Sequence, residues 1–415
     1  RDLAVKRAHL EGCPVVLGSA TPSLESWANA RSGKYTLHEL TERAGGGTLP
    51  AVEIIDMREE RARRIARDGG SDSALHLLGP TLEDALESTL TEGGQAILLL
   101  NRRGFAHYIC CPDSRCGFVA RCDECDASLV LHKHRDYPKG AIVRCHHCLA
   151  EQLVPQLCPT CGKKLNVFGG GTQRAQDELI RKFISMGLED GTTLLRLDSD
   201  SMRSASDYFH ALSRFGRGEA RVLLGTQMIA KGHDFHNVRR VGVLDADTAI
   251  NIPDFRAAER TFQLVSQVAG RAGRGDRSGR VVVQTMNPEH AAIVHAAAHD
   301  YVGFADEELA VRHRAGLPPL TRMVRIVCRD EDAEKALAAA TAIRDRLREL
   351  SPDTFGITGP APCAVSRIAG QYRFEILVIG PRTSAVHHVL AQLRAEKLVK
   401  SDAHTAVDVD PLALL

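Results

Sequence analysis

Nine of the 12 cysteines in this chain fall between Cys110 and Cys161. Cys122/Cys125, Cys145/Cys148 and Cys158/Cys161 are C-x-x-C knuckles, and Cys111/Cys116 is a looser pair ahead of them. A C-x-x-C turn aims two thiolates at one tetrahedral ion, so two such turns complete a structural zinc site. Eight thiolates in four pairs therefore predict two zinc ions per chain. The competing reading, a disulfide framework, belongs to small secreted chains. This chain has 415 residues, no signal-peptide pattern and no long apolar run, so zinc in a reducing compartment is the expectation.

A second group of residues is suited to phosphate chemistry. RVLLGT reads as a strand ending in Gly225 and Thr226, a turn that exposes a backbone N–H and a hydroxyl to a phosphate oxygen. QVAGRAGR reads as the end of a helix carrying Arg271 and Arg274, which can reach across a cleft to a γ-phosphate, with Gln267 one turn earlier to orient a nucleotide. The plainer reading of those arginines is a basic helix end facing its own dipole. Asp245 and Asp247 in LDAD are expected to make polar contacts at a strand end rather than to bind metal.

These residues need a scaffold, and the chain alternates apolar strands with amphipathic helices from CPVVLGSAT to GRVVVQT. That pattern predicts a parallel sheet covered on both faces. Ala175, Leu179, Phe183 and Met186 share one helical face that Gly187 can terminate, and Phe255, Ala258, Phe262, Val265 and Ala269 form another apolar stripe, opened by Asp254. The expected division is 1–60 as the end of a first α/β lobe, 61–79 as a linker, 80–108 with 167–299 as a second lobe, 109–166 as an inserted cysteine module, and 300–415 as a small α+β domain. CPVVLGSAT is read as a buried strand and the basic run REERARRIARDGGSDS as a linker or loop. The 53 basic and 52 acidic side chains nearly cancel, so any nucleic-acid surface must be a local patch. The first residue is Arg1, and the opening RDLAVKRAHLEGC reads as mid-domain helix, so the chain is expected to be the C-terminal part of a longer protein.

Five segments resemble, in order, the motor motifs of superfamily 2 helicases: LGSATPSLES, ILLLNRRGF, VLLGTQMIAKGHDF, VGVLDADTAINIPDFRAAER and QVAGRAGR. With the cysteine insertion inside the second lobe, and with RDLAV, CHHC and the closing VDVDP, the whole chain resembles the PriA family of bacterial primosomal replication-restart helicases. That resemblance implies a RecA-like helicase lobe and an ATP-dependent 3′-to-5′ DNA helicase or translocase that recognises stalled forks and initiates primosome assembly. It implies roles in coupling ATP to DNA for Gly18, Ser19, Ala20, Thr21, Gly225, Thr226, Lys231, Gly232 and Asp234, and DNA contacts for Arg102, Arg103, Arg367, Tyr372 and Arg373, with Arg239 a further candidate for the backbone track. It implies one zinc on Cys111, Cys116, Cys158 and Cys161 and a second on Cys122, Cys125, Cys145 and Cys148.

ATP, Mg²⁺, forked DNA, other primosome proteins, a replicative-helicase loader and a single-strand binding protein follow as ligands and partners. The protein is expected to be a monomer, cytoplasmic and nucleoid-associated, with no membrane role. The chain departs from the family pattern in three ways. Cys111 and Cys116 are spaced wider than C-x-x-C, and Cys110 can stand in for Cys111. The span from Cys125 to Cys145 is long and holds His132 and His134, possible ligands beside the favoured thiolates. Neither G-x-x-x-x-G-K-[ST] nor D-E-x-H occurs, so ATP hydrolysis requires residues upstream of RDLAV. The alternative function is a non-motor, zinc-containing, DNA-binding scaffold for primosome assembly.

Overall fold

The structure is a computed structural model. It describes residues 1–40, 49–68, 76–100, 108–111, 116, 118, 120, 123, 130–132, 142–144, 151–153, 157–168, 172–198, 201–202, 204–226, 229, 235, 237–251, 254–272, 279–350, 355–400 and 402–414.

Helices α1 (Asp2–Glu11) and α2 (Leu24–Arg31) precede strand β1 (Ala51–Asp56), then α3 (Met57–Asp68), α4 (Pro80–Thr91) and β2 (Gln95–Leu100). Five short strands belong to the cysteine segment: β3 (Tyr108–Cys110), β4 (Val130–His132), β5 (Ile142–Arg144), β6 (Glu151–Leu153) and β7 (Asn166–Phe168). The α/β pattern resumes with α5 (Thr172–Phe183), β8 (Leu194–Leu197), α6 (Ala205–Gly216), β9 (Val222–Gly225), β10 (Val238–Asp245), α7 (Asp247–Ile250), α8 (Ala257–Ala269), β11 (Arg280–Thr285) and α9 (Ala291–Ala297). The chain ends with α10 (Tyr301–Arg314), β12 (Arg322–Asp330), α11 (Ala333–Leu350), β13 (Gly356–Ile368), β14 (Gln371–Gly380), α12 (Thr383–Ala395) and β15 (Thr405–Val409).

Among the described residues, the main sheet has six parallel strands in the order β1-β11-β10-β2-β9-β8. Period-two alternation divides its side chains between two cores. Ile97, Leu99, Leu223, Val241, Val243, Val281 and Val283 face α6, α8 and α9, packing on Leu212, Phe215, Phe262, Val265 and Ile293. Ala96, Leu98, Leu100, Leu224 and Val282 face α4 and α5, packing on Leu82, Leu86, Leu90, Ala175, Leu179 and Phe183. Every residue of β2 is buried, as a central strand covered on both faces requires. Each fully buried leucine of α4 contributes about 1.5–3 kcal/mol of transfer free energy. Helix starts are set locally: Ser204 and Asp207 form a capping box at α6, and the chain leaves the short turn after α5 through Gly187 at φ 76°.

The last unit is a four-stranded antiparallel sheet, β13-β14-β12-β15, with α11 and α12 on one face. The β13–β14 hairpin turns through Ala369 at φ 48° and Gly370 at φ 78°, the paired positive φ of a type I′ turn.

Four expectations are corrected. CPVVLGSAT is not a buried strand: residues 13–20 are exposed, and Val16 keeps 94% of its surface in water. Its apolar, β-branched composition suits a strand, but no described strand pairs with it. Strand β1 belongs to the second lobe, since Ala51 to Asp56 run in register with Arg280 to Thr285, so residues 51–56 are not part of a first lobe. The basic run after it is helix α3 up to Asp68 rather than a linker: buried Glu60 accepts the Thr81 N–H at 2.7 Å, and Arg64 donates to the Leu78 carbonyl at 2.6 Å and to Glu83 at 2.5 Å. Finally, α10 does not join the C-terminal sheet domain. It packs beside α2, α8 and α9, with Tyr301 edge-on to Trp27 at 5.3 Å and Phe304 stacked on Phe262 at 4.4 Å.

Candidate metal centre and helicase surfaces

The cysteine module is short of apolar residues. Its first and last pairs are brought together by the antiparallel pairing of β3 with β7. The sulfurs of Cys111, Cys116, Cys158 and Cys161 all lie within 4.8 Å of one another, with Cys111 to Cys161 at 3.3 Å and Cys116 to Cys158 at 3.6 Å. A tetrahedron with bonds of about 2.3 Å places its sulfurs about 3.8 Å apart, so the four thiols fit a zinc-sized ion. The backbone shapes each half: the Cys111 N–H donates to the Phe118 carbonyl at 2.9 Å, and the Cys158 N–H to the Lys163 carbonyl at 2.7 Å. Burial opposes ionisation of the Cys158 thiol. The N–H groups of Cys161 and Thr160 and the neighbouring thiols outweigh it and bring that thiol down to about 7, toward the thiolate a metal needs. Cys111 supplies a sulfur to this cluster, and the side chain of Cys110 lies outside the described residues. The second predicted set, Cys122, Cys125, Cys145 and Cys148, lies outside the described residues, as do His134 and the side chain of His132. Cys13, Cys328 and Cys363 stand apart; burial pushes the Cys328 thiol up to about 11.

Of the predicted motor residues, Gly18, Ser19 and Ala20 form an exposed turn in which the Thr21 N–H donates to the Ser19 hydroxyl at 3.1 Å. This turn lies against α8: Gln263 donates to the Thr21 carbonyl at 3.5 Å, and Tyr301 of α10 donates to the Pro22 carbonyl at 2.9 Å. Arg271 follows the C-terminal end of α8, where its charge acts on the Tyr208 hydroxyl; burial pushes that hydroxyl up and Arg271 opposes the shift. Gln267, one turn before Arg271, is exposed. Arg274, Lys231, Gly232, Asp234, Arg102 and Arg103 lie outside the described residues.

At the end of β9, a Cβ on Gly225 would meet the Leu197 carbonyl oxygen at 2.5 Å, so this close approach needs glycine. The Thr226 N–H is already donated to that same carbonyl at 3.3 Å, which corrects the expectation that it is free for a phosphate. Arg239 lies at the start of β10, at the end of the sheet opposite Gly225, where it pairs with Glu92 at 3.2 Å. Asp245 and Asp247 make the expected polar contacts: Asp245 accepts from the Thr248 backbone, and Asp247 from Met286, Thr285 and Asn287.

In the C-terminal domain Arg367 and Tyr372 face each other across β13 and β14, with the guanidinium 5.7 Å from the ring centroid. Arg367 also donates to the Asp123 carbonyl of the cysteine module, and Arg373 to the Val365 carbonyl at 3.2 Å. The hairpin tip therefore touches the cysteine module, a contact that nothing in the sequence announced. Also missed were Glu259, buried in the first turn of α8, and Arg312, buried in α10. A charged pair within the apolar stripe of FRAAER was the available signal for Glu259.

The six-stranded parallel sheet, its flanking helices and the inserted cysteine cluster define the C-terminal lobe of a helicase. Residues 149–276 match the helicase conserved C-terminal domain, and residues 313–412 match the primosomal protein N C-terminal domain. The chain is 40% identical over 379 residues to the replication restart protein PriA of Bacillus subtilis (strain 168), covering 91% of this chain and 44% of that protein. It is 37% identical over 429 residues to the replication restart protein PriA of Synechocystis, covering 100% of this chain and 48% of that protein. The chain belongs to the PriA family, and it spans about half the length of these relatives. Among solved structures, Saccharomyces cerevisiae Dbp5 bound to RNA and ADP BeF3 aligns with a TM-score of 0.34 and 13% identity, over 75% of this chain and 58% of that one. Among the described residues, no helix is long and apolar enough to cross a membrane.

Proposed function

We propose that this chain is the second motor lobe and C-terminal region of an ATP-driven 3′-to-5′ DNA helicase that engages stalled replication forks and starts primosome assembly. The observation that carries the reading is the seating of the Thr21 turn on α8, the helix that leads to Arg271. A turn that resembles an ATP-state sensor is thereby joined through one rigid element to an arginine suited to a γ-phosphate. Arg271 and Arg274 would stabilise charge on the transferring phosphoryl group, and Gln267 would help orient the nucleotide. The phosphate loop and the acidic residues that manage Mg²⁺ would come from sequence beyond these 415 residues. Gly18, Ser19, Ala20, Thr21, Gly225, Thr226, Lys231, Gly232 and Asp234 would link nucleotide state to DNA grip. Gly225 acts there by allowing close approach, and Thr226 by its hydroxyl.

Cys111, Cys116, Cys158 and Cys161 would hold one zinc, and Cys122, Cys125, Cys145 and Cys148 a second. When bound, zinc supplies rigidity to a segment too polar to form its own core. The module would act as a wedge or docking platform near the duplex junction. Arg102, Arg103, Arg367, Tyr372 and Arg373 would contact the DNA backbone or a stacked base, reading fork shape rather than sequence. Other primosome proteins, a helicase loader and a single-strand binding protein are the proposed partners of a monomeric, cytoplasmic, nucleoid-associated protein. Strand displacement by the full-length protein tests this reading. ATP-dependent unwinding is expected on a duplex with a 3′ single-stranded tail and not on one with a 5′ tail. Fork binding without ATP-dependent unwinding would favour the non-motor scaffold.

A further inference from the structure

The buried charges of α8 and α10 have no part in the proposed chemistry, yet they are closely partnered. Glu259 is 5% exposed and Arg312 only 1%. One Glu259 oxygen, Oε1, accepts the Leu24 backbone N–H at 3.0 Å, and the other, Oε2, accepts Nη2 of Arg312 at 3.0 Å. Arg312 also donates to Glu308 at 2.9 Å and stands 5.2 Å from the Phe255 ring centroid. Arg256 pairs with Glu25 and lies 4.0 Å from Glu259.

Apolar residues of equal volume usually serve stability as well as a buried ion pair does, so stability alone explains this arrangement poorly. What an apolar pair lacks is a hydrogen-bond acceptor. Leu24 is the first residue of α2, and its N–H has no acceptor within its own helix. Glu259 supplies one. With Gln263 on the Thr21 carbonyl, Tyr301 on the Pro22 carbonyl and Arg256 on Glu25, the segment from Thr21 to Glu25 is held at four points by α8 and α10. Helix α8 then runs about 15 Å from Glu259 to its last residue, at about 1.5 Å per residue, and Arg271 follows.

The geometry points to Glu259 as a positioning residue for the motor. Through the Leu24 N–H it fixes the exposed turn at 18–21 relative to Arg271, and through Arg312 it ties that turn to α10, the helix that leads into the C-terminal sheet domain. At 5% exposed, Glu259 acts through these neighbours. The inference deepens the motor reading and rests on it.

Two double variants of the full-length protein separate positioning from packing. E259Q/R312M removes both buried charges but keeps an amide oxygen for the Leu24 N–H; E259M/R312M removes the charges and the acceptor together. The first is expected to hold DNA-stimulated kcat within about threefold of wild type, and the second to lose at least about tenfold in kcat with KM for ATP unchanged. Full kcat in E259M/R312M overturns the proposal. E259Q alone keeps the acceptor and leaves Arg312 paired with Glu308, so it serves as the second comparison should a double variant fold poorly; it is expected to retain kcat, and a loss equal to that of E259M/R312M overturns the proposal as well. Amide hydrogen exchange at Leu24 gives a readout independent of catalysis. Protection is expected to persist in E259Q/R312M and E259Q and to fall in E259M/R312M, and unchanged protection there counts against the positioning role. Absence of DNA-stimulated ATPase in the wild-type protein would instead refute the motor reading, leaving the exchange result to decide whether Glu259 holds the turn.

Discussion

The identity of Gly225 is dictated by its neighbours. A side chain there would press on the Leu197 carbonyl and on Ile229, and the carbonyl is itself fixed by the Thr226 N–H. Gly225→Ala is therefore expected to lower stability by about 1–3 kcal/mol, read as a drop in the urea midpoint. A midpoint within error of wild type would show that the strand end yields without penalty. The cysteine pairs were legible at this scale because ion chemistry sets their spacing; the matching of 111/116 with 158/161 came from the family resemblance, and those four sulfurs lie together. Glu259 and Arg312 were not legible as partners. They are 53 positions apart, and only tertiary packing brings them together.

Elements were readable where burial alone decides them. QAILLL is apolar at every position and forms the central strand β2, and the stripe Ala175, Leu179 and Phe183 is the buried face of α5. Helix α3 was unreadable because its anchors are charges: nothing in REERARR marks Glu60 and Arg64 as the residues that turn inward. AVEIID was read correctly as a strand, but periodicity does not name a partner, and its neighbour β11 begins more than 200 residues later. Two element-scale outcomes follow. The His290 side chain caps α9 by accepting the Ala292 N–H at 3.2 Å, which needs a neutral ring, and burial holds its imidazole below the ordinary range against the pull of Asp247 and Glu307. The unfolded chain then binds the proton more readily, so this contribution to stability is present above about pH 6.5 and fades as the pH falls below it. His290→Asn keeps a capping oxygen without titrating, and it is expected to flatten part of the stability loss between pH 7.5 and 5.5; an unchanged slope in urea melts would contradict this. In the β13–β14 turn, Ala369→Gly relieves a positive φ and should raise stability by about 0.5–1 kcal/mol in the same measurement. A lower midpoint would mean that the methyl group is needed there.

Across the whole molecule, the C-terminal sheet reaches the cysteine module through Arg367 and the Asp123 carbonyl, and α10 reaches the turn at 18–21 through Tyr301 and the Pro22 carbonyl. The C-terminal tail adds a further tie, with the Leu414 N–H on Asp254 at 3.3 Å and Arg260 on the Leu412 carbonyl. Elemental analysis of protein purified without chelator is expected to give two zinc equivalents per chain, and Cys158→Ser to reduce that to one; a single equivalent in the wild type would refute the second site. The central claim is that this lobe supplies the arginine side of an ATP site, and DNA-stimulated ATPase of the full-length protein, wild type against Arg271→Ala, tests it most directly. Robust turnover is expected in the wild type and a fall of about 10³-fold or more in the variant. Equal rates in the two proteins, active or inert, would contradict it.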